Sequence, residues 1–324
     1  MKTFKTGLVI GKFYPPHRGH KYLIETALAQ CEEVTVIICS KAGESIPGHL
    51  REAWLKKIHP TAVVRHVRDV PLGDDDSPGW ARYTIELLGK APDAVFTSED
   101  YGDPYAKHMG CVHVAVDKKR VTVPISATLV RSDPWMYAQF LEPMVRAYFA
   151  KRICIIGAES TGTTTLSRAL AEHYHTVWVP EYGRFYSEGK VTSDEVGKTW
   201  RTEEFAHIAR MQQEMEDELA HSANRVVIAD TDAFATSVWH ERYMGSRSAA
   251  VDALALDAPH DLYILTGDEI PFVQDGLRDG EHIRHWMHGR FVERLEQTGK
   301  RYIMVRGTKE ERLAQATAAI DALT

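Results

Sequence analysis

At 324 residues, with 44% hydrophobic and 26% charged side chains, the chain is long enough for about two domains of ordinary size and contains no apolar run that would span a bilayer. Its net charge of −6 argues against a nucleic-acid binder, whose affinity rests on clustered Lys and Arg neutralising phosphates. Four widely spaced cysteines (Cys31, Cys39, Cys111, Cys154) form no C-x-x-C pair, and the start Met1-Lys2-Thr3-Phe4-Lys5-Thr6 shows no export signal, so a cytoplasmic protein with reduced thiols is expected, not embedded in a membrane.

Short apolar runs recur at 8–10, 34–38, 63–67, 94–97, 112–116, 153–156, 177–179, 226–229, 262–265 and 302–305, with helical patterns between them. Runs of this kind, continuous rather than alternating, are strands covered on both faces. The expected fold is therefore α/β, with two doubly wound parallel sheets: a Rossmann-like nucleotidyltransferase domain over 1–149 and a P-loop kinase-like domain over 150–324. The boundary is set near Arg146-Ala147-Tyr148-Phe149-Ala150-Lys151-Arg152, where one helical pattern ends and a new strand begins. Acidic, turn-rich Asp74-Asp75-Asp76-Ser77-Pro78-Gly79 and the stretch 43–48 read as loops.

The first strand runs into Gly11-Lys12-Phe13-Tyr14-Pro15-Pro16-His17-Arg18-Gly19-His20 and then a helical pattern. Imidazoles and unpaired backbone N–H groups at a helix start favour a phosphate chain. An H-x-x-H zinc pair is the competing reading, but no third ligand lies nearby in sequence. Later, Ile125-Ser126-Ala127-Thr128-Leu129-Val130-Arg131 places an N-cap serine before a helix with an arginine one turn on, fit to fork onto β- and γ-phosphates. The two segments resemble the G-x-F-x-P-x-H-x-G-H and I-S-x-T-x-x-R motifs of the nucleotidyltransferase superfamily. That resemblance implies ATP binding by Gly11, Lys12, Phe13, His17, His20, Ser126, Thr128 and Arg131, with His17, His20 and Arg131 catalytic.

The second domain opens on Gly157-Ala158-Glu159-Ser160-Thr161-Gly162-Thr163-Thr164-Thr165, a strand–G-x-x-x-x-G–helix arrangement matching a P-loop except that Thr163 stands at the lysine position. Its backbone can still cradle phosphates. Thr164 stands where the Mg²⁺-binding hydroxyl belongs, and Val226-Val227-Ile228-Ala229-Asp230-Thr231-Asp232 ends as a Walker-B strand would, with Asp230 as the second Mg²⁺ residue. The mobile ammonium is missing, and Arg278, Arg284 or Arg290 are candidates to replace it. The rival is a degenerate, regulatory nucleotide-binding domain.

Within the superfamily, the Gly-Lys-Phe-Tyr-Pro-Pro wording, Thr97-Ser98-Glu99 and Val116-Asp117-Lys118-Lys119-Arg120 resemble the NadR-type bifunctional nicotinamide-mononucleotide adenylyltransferase/ribosylnicotinamide kinases. In the second half, Val179-Pro180-Glu181-Tyr182-Gly183-Arg184-Phe185-Tyr186 is similar to that family's E-Y-x-R segment, and Pro271-Phe272-Val273-Gln274-Asp275-Gly276-Leu277-Arg278 to its lid. The resemblance implies NAD biosynthesis with ATP as co-substrate and Mg²⁺ as cofactor, and nicotinamide mononucleotide, ribosylnicotinamide and NAD as the other ligands. It implies a mononucleotide pocket with Tyr14, Trp80 and Arg51, although Trp80 reads equally as core and Arg51 as a solvated helix residue. It further implies ATP binding in the second domain by Gly157, Glu159, Ser160, Thr161, Gly162, Thr163, Thr164, Thr165 and Arg278. Ribosylnicotinamide would meet Glu181, Tyr182, Arg184, Tyr186 and Asp232, with Glu181 and Asp230 as catalytic carboxylates. Members of the family often carry an amino-terminal helix-turn-helix, and only six residues precede the first strand, so repressor function is not expected. Another phosphate acceptor, a homo-oligomer and coupling to a ribosylnicotinamide transporter stay open.

Overall fold

The computed structural model describes residues 2–191, 199–257, 260–274 and 280–323. The chain divides into two compact units, Met1–Arg146 and Ala147–Thr324. In the first, strands β1 (Phe4–Gly11), β2 (Cys31–Ser40), β3 (Val63–Arg68), β4 (Ala94–Thr97) and β5 (Val112–Ala115) alternate with helices α1 (Arg18–Gln30), α2 (Gly48–Ile58), α3 (Ser77–Leu88), α4 (Gly102–Met109) and α5 (Ala127–Ser132), before α6 (Pro143–Ala147). All pairings are parallel, in the order β3-β2-β1-β4-β5, with Val9 opposite both Val36 and Phe96.

The second unit holds β6 (Lys151–Ile156), α7 (Thr163–His173), β7 (Trp178–Val179), α8 (Tyr182–Val191), α9 (Thr202–Ala220), β8 (Val226–Asp230), α10 (Ala233–Met244), α11 (Ala249–Leu256), β9 (Leu262–Thr266), α12 (Arg284–Thr298), β10 (Tyr302–Val305) and α13 (Lys309–Asp321). Its parallel sheet runs β10-β9-β6-β8-β7.

Burial follows from this layering. β8 and β9 are buried at every residue, whereas the edge strand β3 alternates exposed and buried positions. A strand with helices on both faces must be apolar throughout, and an edge strand need not be. Each fully buried Ile or Val contributes about 1.5–3 kcal/mol of transfer free energy, and Ile153, Ile155, Ile228 and Ile264 form one such core while Val9, Val36, Val34 and Phe96 form another. In both sheets the strand order reverses beside the first strand of the unit, so crevices open at the carboxyl ends of β1/β4 and β6/β8. No helix among the described residues is long and apolar enough to cross a membrane.

Candidate functional sites

In the first unit the turn after β1 carries Phe13 in a left-handed conformation (φ 46°) and brings His17 to the N-cap of α1. His17 Nδ1 accepts the backbone N–H of Gly19 (3.1 Å) and His20 (3.4 Å), and His20 Nδ1 accepts the N–H of His17 (3.3 Å), a reciprocal capping box built from two imidazoles. The rings stack with centroids 3.7 Å apart. Burial, with the neighbouring Arg120 cation, holds His17 down at about 4. Desolvation, then His17 and Arg120, hold His20 well below the usual histidine range. Both rings are thus neutral at pH 7, and because each Nδ1 is an acceptor, each proton sits on Nε2. The pair is a double N–H donor at a helix N-terminus.

Both histidines line a cleft together with Ser126, Ala127, Thr128, Asp117, Arg120, Ser98 and Glu99. Ser126 caps α5, its Oγ accepting the Leu129 N–H (3.2 Å). Arg120 was not singled out as a site residue by sequence; it lines the same cleft, its charge acts on both histidines, and it is paired with Glu99 at 2.9 Å. Asp117 fixes the loop before α5 by accepting three backbone N–H groups, from Val121, Thr122 and Val123.

The remaining expected residues of this unit lie elsewhere than in the cleft. Phe13 is 1% exposed, and its side chain belongs to the core and packs edge-on against the His20 ring (4.9 Å). Gly11 ends β1 against the Phe13 ring, and Lys12 pairs with Asp74 in solvent (2.8 Å). Arg131 does not line the cleft: its guanidinium donates to the Tyr14 carbonyl and to Thr128 Oγ1 (3.3 Å) and lies over the Tyr14 ring (4.7 Å). Arg51, fully buried rather than solvated, covers the same ring (4.9 Å) while donating to the Lys12 carbonyl (2.8 Å) and pairing with Glu44. Tyr14 is therefore held between two cations, its hydroxyl bonded to Ser45 (2.7 Å). Trp80 is half-buried against the α3/α4 core, and its indole N–H donates to the Gly73 carbonyl (2.9 Å).

In the second unit the turn after β6 winds through two left-handed residues, Ser160 (φ 59°) and Gly162 (φ 86°), into α7. Such a turn aims successive N–H groups at one point and makes an anion nest. Buried Thr161 pins it, donating to the Ala158 carbonyl (2.7 Å) and accepting from Thr266 Oγ1 (2.7 Å). Gly157, Glu159, Ser160, Thr163 and Thr164 line a cavity together with Glu181, Arg184 and Asp230; Thr165 points to solvent from the first turn of α7. Asp230, 2% exposed at the end of β8, lies beside the Thr164 and Thr163 hydroxyls, and burial pushes its carboxyl up to about 6. A buried carboxylate beside two hydroxyls, with no ion pair to it among the described residues, is a fitting half-shell for a divalent metal, so Thr164 and Asp230 fit Mg²⁺. Arg278 lies outside the described residues.

The far wall of this cavity is aromatic: Trp200 and Phe205 by the start of α9, Trp239 and Tyr243 one turn apart on α10. Trp200 lies 5.3 Å from Tyr243. These four were missed in the sequence, where Tyr182 and Tyr186 stood in their place. Neither tyrosine lines the cavity. Tyr182 reaches His207 (3.4 Å), and Tyr186 donates to buried Glu204 (3.0 Å) and leans on Trp200 from behind. The signal was Trp239 and Tyr243 at i and i+4 directly after the Asp230 strand.

Asp232 also corrects its expected role. It caps α10, accepts the Tyr263 hydroxyl (2.6 Å) and sits 3.3 Å from His260, whose other nitrogen is 3.0 Å from Glu216; Glu216 in turn pairs with Arg152 (2.7 Å). Pressed between two carboxylates, His260 is pushed up in pKa and both carboxylates are held down. The geometry makes Asp232 a buried structural ion, with no access to the cavity.

Comparisons with known proteins agree with this architecture. A family model described as an AAA domain matches residues 152–312. Two crystal structures of a NadR protein, one in complex with NR and one with NAD and AMP-PNP, superpose with TM-scores of 0.78 and 0.76 at 22% and 21% identity, each covering 99% of this chain and 97% of the other. The trifunctional NAD biosynthesis/regulator proteins NadR of Escherichia coli (strain K12) and Salmonella typhimurium (strain LT2) are 31% and 29% identical over 92% and 93% of this chain, and the match covers 78% of each relative. Identity of this extent, along both sheets and both crevices, shows that the chain belongs to the NadR family.

Proposed function

We propose that the first unit, a nucleotidyltransferase domain, joins nicotinamide mononucleotide and ATP to give NAD and pyrophosphate, and that the second, a P-loop kinase domain, makes the mononucleotide from ribosylnicotinamide and ATP. The observation that carries this reading is the pairing of a neutral two-histidine donor with a separate P-loop cavity walled by aromatics. The relatives' name places them in NAD biosynthesis, and the NadR crystal structures hold NR, NAD and AMP-PNP.

In the first reaction a phosphate oxygen of the mononucleotide attacks the α-phosphorus of ATP, and the bond to the bridging oxygen of pyrophosphate breaks. Negative charge grows on the departing oxygens, where preset donors are most effective. His17 and His20 supply two Nε2–H donors there without titrating, and Arg120 adds positive charge from the same cleft. Tyr14, fixed by Arg51 and Arg131, shapes the turn that holds the histidines.

In the second reaction the 5′-hydroxyl of ribosylnicotinamide attacks the γ-phosphorus, ADP leaves, and Glu181 takes the hydroxyl proton. Mg²⁺ held by Thr164 and Asp230 would offset charge on the β- and γ-phosphates. The aromatic wall gives the cationic pyridinium ring a face to stack on, and cation–π attraction selects it over a neutral base.

The test supplies ribosylnicotinamide with MgATP and follows all products over time. The mononucleotide should rise and then yield to NAD, with ADP and pyrophosphate released in turn. Thr163 also favours a second reading, in which the second unit only senses nucleotide. NAD formation from added mononucleotide without any ribosylnicotinamide-dependent ADP would establish that reading, and no NAD from the mononucleotide would overturn the first assignment.

A further inference from the structure

In a trans peptide the carbonyl and the N–H of the next residue point opposite ways, so a donor that holds a carbonyl from outside a turn aims the following N–H inward. Two arginines hold consecutive carbonyls of the turn after β6. Arg284, at the start of α12, donates to the Ser160 carbonyl (3.2 Å), and Arg312, on the first turn of α13, donates to the Thr161 carbonyl (2.6 Å). We propose that both are positioning residues for nucleotide in the second unit: they hold the Thr161 and Gly162 N–H groups towards the phosphates and set two positive charges behind them. The proposal deepens the kinase reading and rests on it.

Neither arginine lines the cavity that Gly157, Ser160, Thr163 and Thr164 share, so both act through the backbone. Arg312 is 5% exposed, and its guanidinium is fully engaged. Nε donates to the Gly307 carbonyl (3.0 Å), and one amino group to the Gly267 carbonyl (3.1 Å) and Glu269 (2.7 Å), which leaves the other for the turn. Nη1 lies 3.7 Å from where a Cβ on Gly162 would stand. A charged donor on a carbonyl also polarises its amide and makes the N–H of that amide a stronger donor.

Arg284 is 8% exposed and lies by the Phe272 ring (5.9 Å). Its Nε has no partner, and no carboxylate pairs with it, among the described residues. A buried guanidinium in that state is costly, and an anion bound on the far side of the Ser160–Thr161 peptide offsets the cost. The contribution adds to that of any cation that meets the phosphates from within the cavity. Of the arginines expected from sequence to replace the lysine, Arg284 thus serves through a carbonyl, and Arg290 forks onto Glu241 (2.8 and 2.9 Å).

The experiment compares wild type, Arg312→Met, Arg312→Lys and Arg284→Met as full chains. The readouts are KM for ATP and for ribosylnicotinamide in ribosylnicotinamide-dependent ADP release, and calorimetric affinities for AMP-PNP and adenosine with saturating NAD present. Arg312→Met should raise KM for ATP and weaken AMP-PNP binding about tenfold or more, and Arg284→Met about fivefold. Adenosine affinity and KM for ribosylnicotinamide, which involve no phosphate, should stay within about twofold of wild type and report an intact cavity. Arg312→Lys, which keeps a charged donor, should bind AMP-PNP more tightly than Arg312→Met. Wild-type AMP-PNP affinity in both methionine variants, adenosine weakened as much as AMP-PNP, or a lysine variant no better than the methionine one would overturn the proposal. If wild type itself releases no ADP, the kinase reading fails on that count alone, and the AMP-PNP and adenosine affinities still decide the role of the two arginines.

Discussion

His17 does two jobs that can be separated. Its Nδ1 caps α1 through the Gly19 and His20 N–H groups, and its Nε2–H is offered to the cleft. Asparagine is a good N-cap and has no imidazole. His17→Asn should therefore leave the melting temperature within a few degrees while lowering the turnover of NAD formation about 10²-fold, and His17→Ala should lose the turnover and in addition about 1 kcal/mol of stability. Pyrophosphate release and thermal unfolding check this pair; near-wild-type turnover in His17→Asn would remove the histidine from the chemistry. At this scale the histidines and the serine cap were legible because a helix start writes its donors and acceptors into consecutive residues. The positions of Phe13, Arg51 and Arg131 were not, since each motif residue can serve the site by touching ligand or by supporting a neighbour. Only packing tells the two apart, and it places Phe13 against His20 and both arginines on Tyr14.

The elements were read more completely than the residues. All ten apolar runs are strands, because a parallel sheet covered on both faces leaves few positions for polar side chains. The aromatic wall escaped notice for the opposite reason: Trp200, Phe205, Trp239 and Tyr243 are spread over two helices and a connection, and singly each reads as core. The P-loop is an element whose shape depends on one missing atom. A Cβ on Gly157 would stand 2.2 Å from Thr266 Oγ1 and 2.5 Å from Thr161 Oγ1, the two hydroxyls that pin the nest. Gly157→Ala should cost about 1–3 kcal/mol from overpacking, read by urea denaturation, and should weaken AMP-PNP binding to the second unit at least tenfold. A variant of unchanged stability and affinity would show that the Thr161–Thr266 pair does not fix the loop.

Across the molecule, His260 of the second unit stands apart from the lowered histidines of both units. In the first unit, desolvation is the leading cause that holds His17 and His59 at about 4 and lowers His20 and half-buried His66. The second buries His260 between Glu216 and Asp232, which raises it, and His288, which burial lowers. The sign of each effect follows from proton uptake. A histidine with a depressed folded pKa binds its proton more readily when unfolded. Its stabilisation is whole above about 6.5, the ordinary value, and is lost as pH falls towards the folded value; a shift such as that of His17 is worth about 3 kcal/mol when complete. A raised histidine behaves in reverse, stabilising fully below its ordinary pKa and losing that contribution as pH rises through the folded one. Between pH 6.5 and 4.5, before most carboxylates titrate, the first unit should thus lose several kcal/mol, while in the second the contribution of His260 is already whole and only that of His288 is lost. Hydrogen exchange followed by mass spectrometry, corrected for intrinsic rates, should show peptides from β1 to β5 losing protection on acidification to pH 4.5 while those from β6, β8 and β9 retain it. Parallel loss in both sets would mean that acid opens the chain through groups other than the lowered histidines of the first unit, and retained protection in β1 to β5 would mean that His17 and His20 are not held neutral by burial.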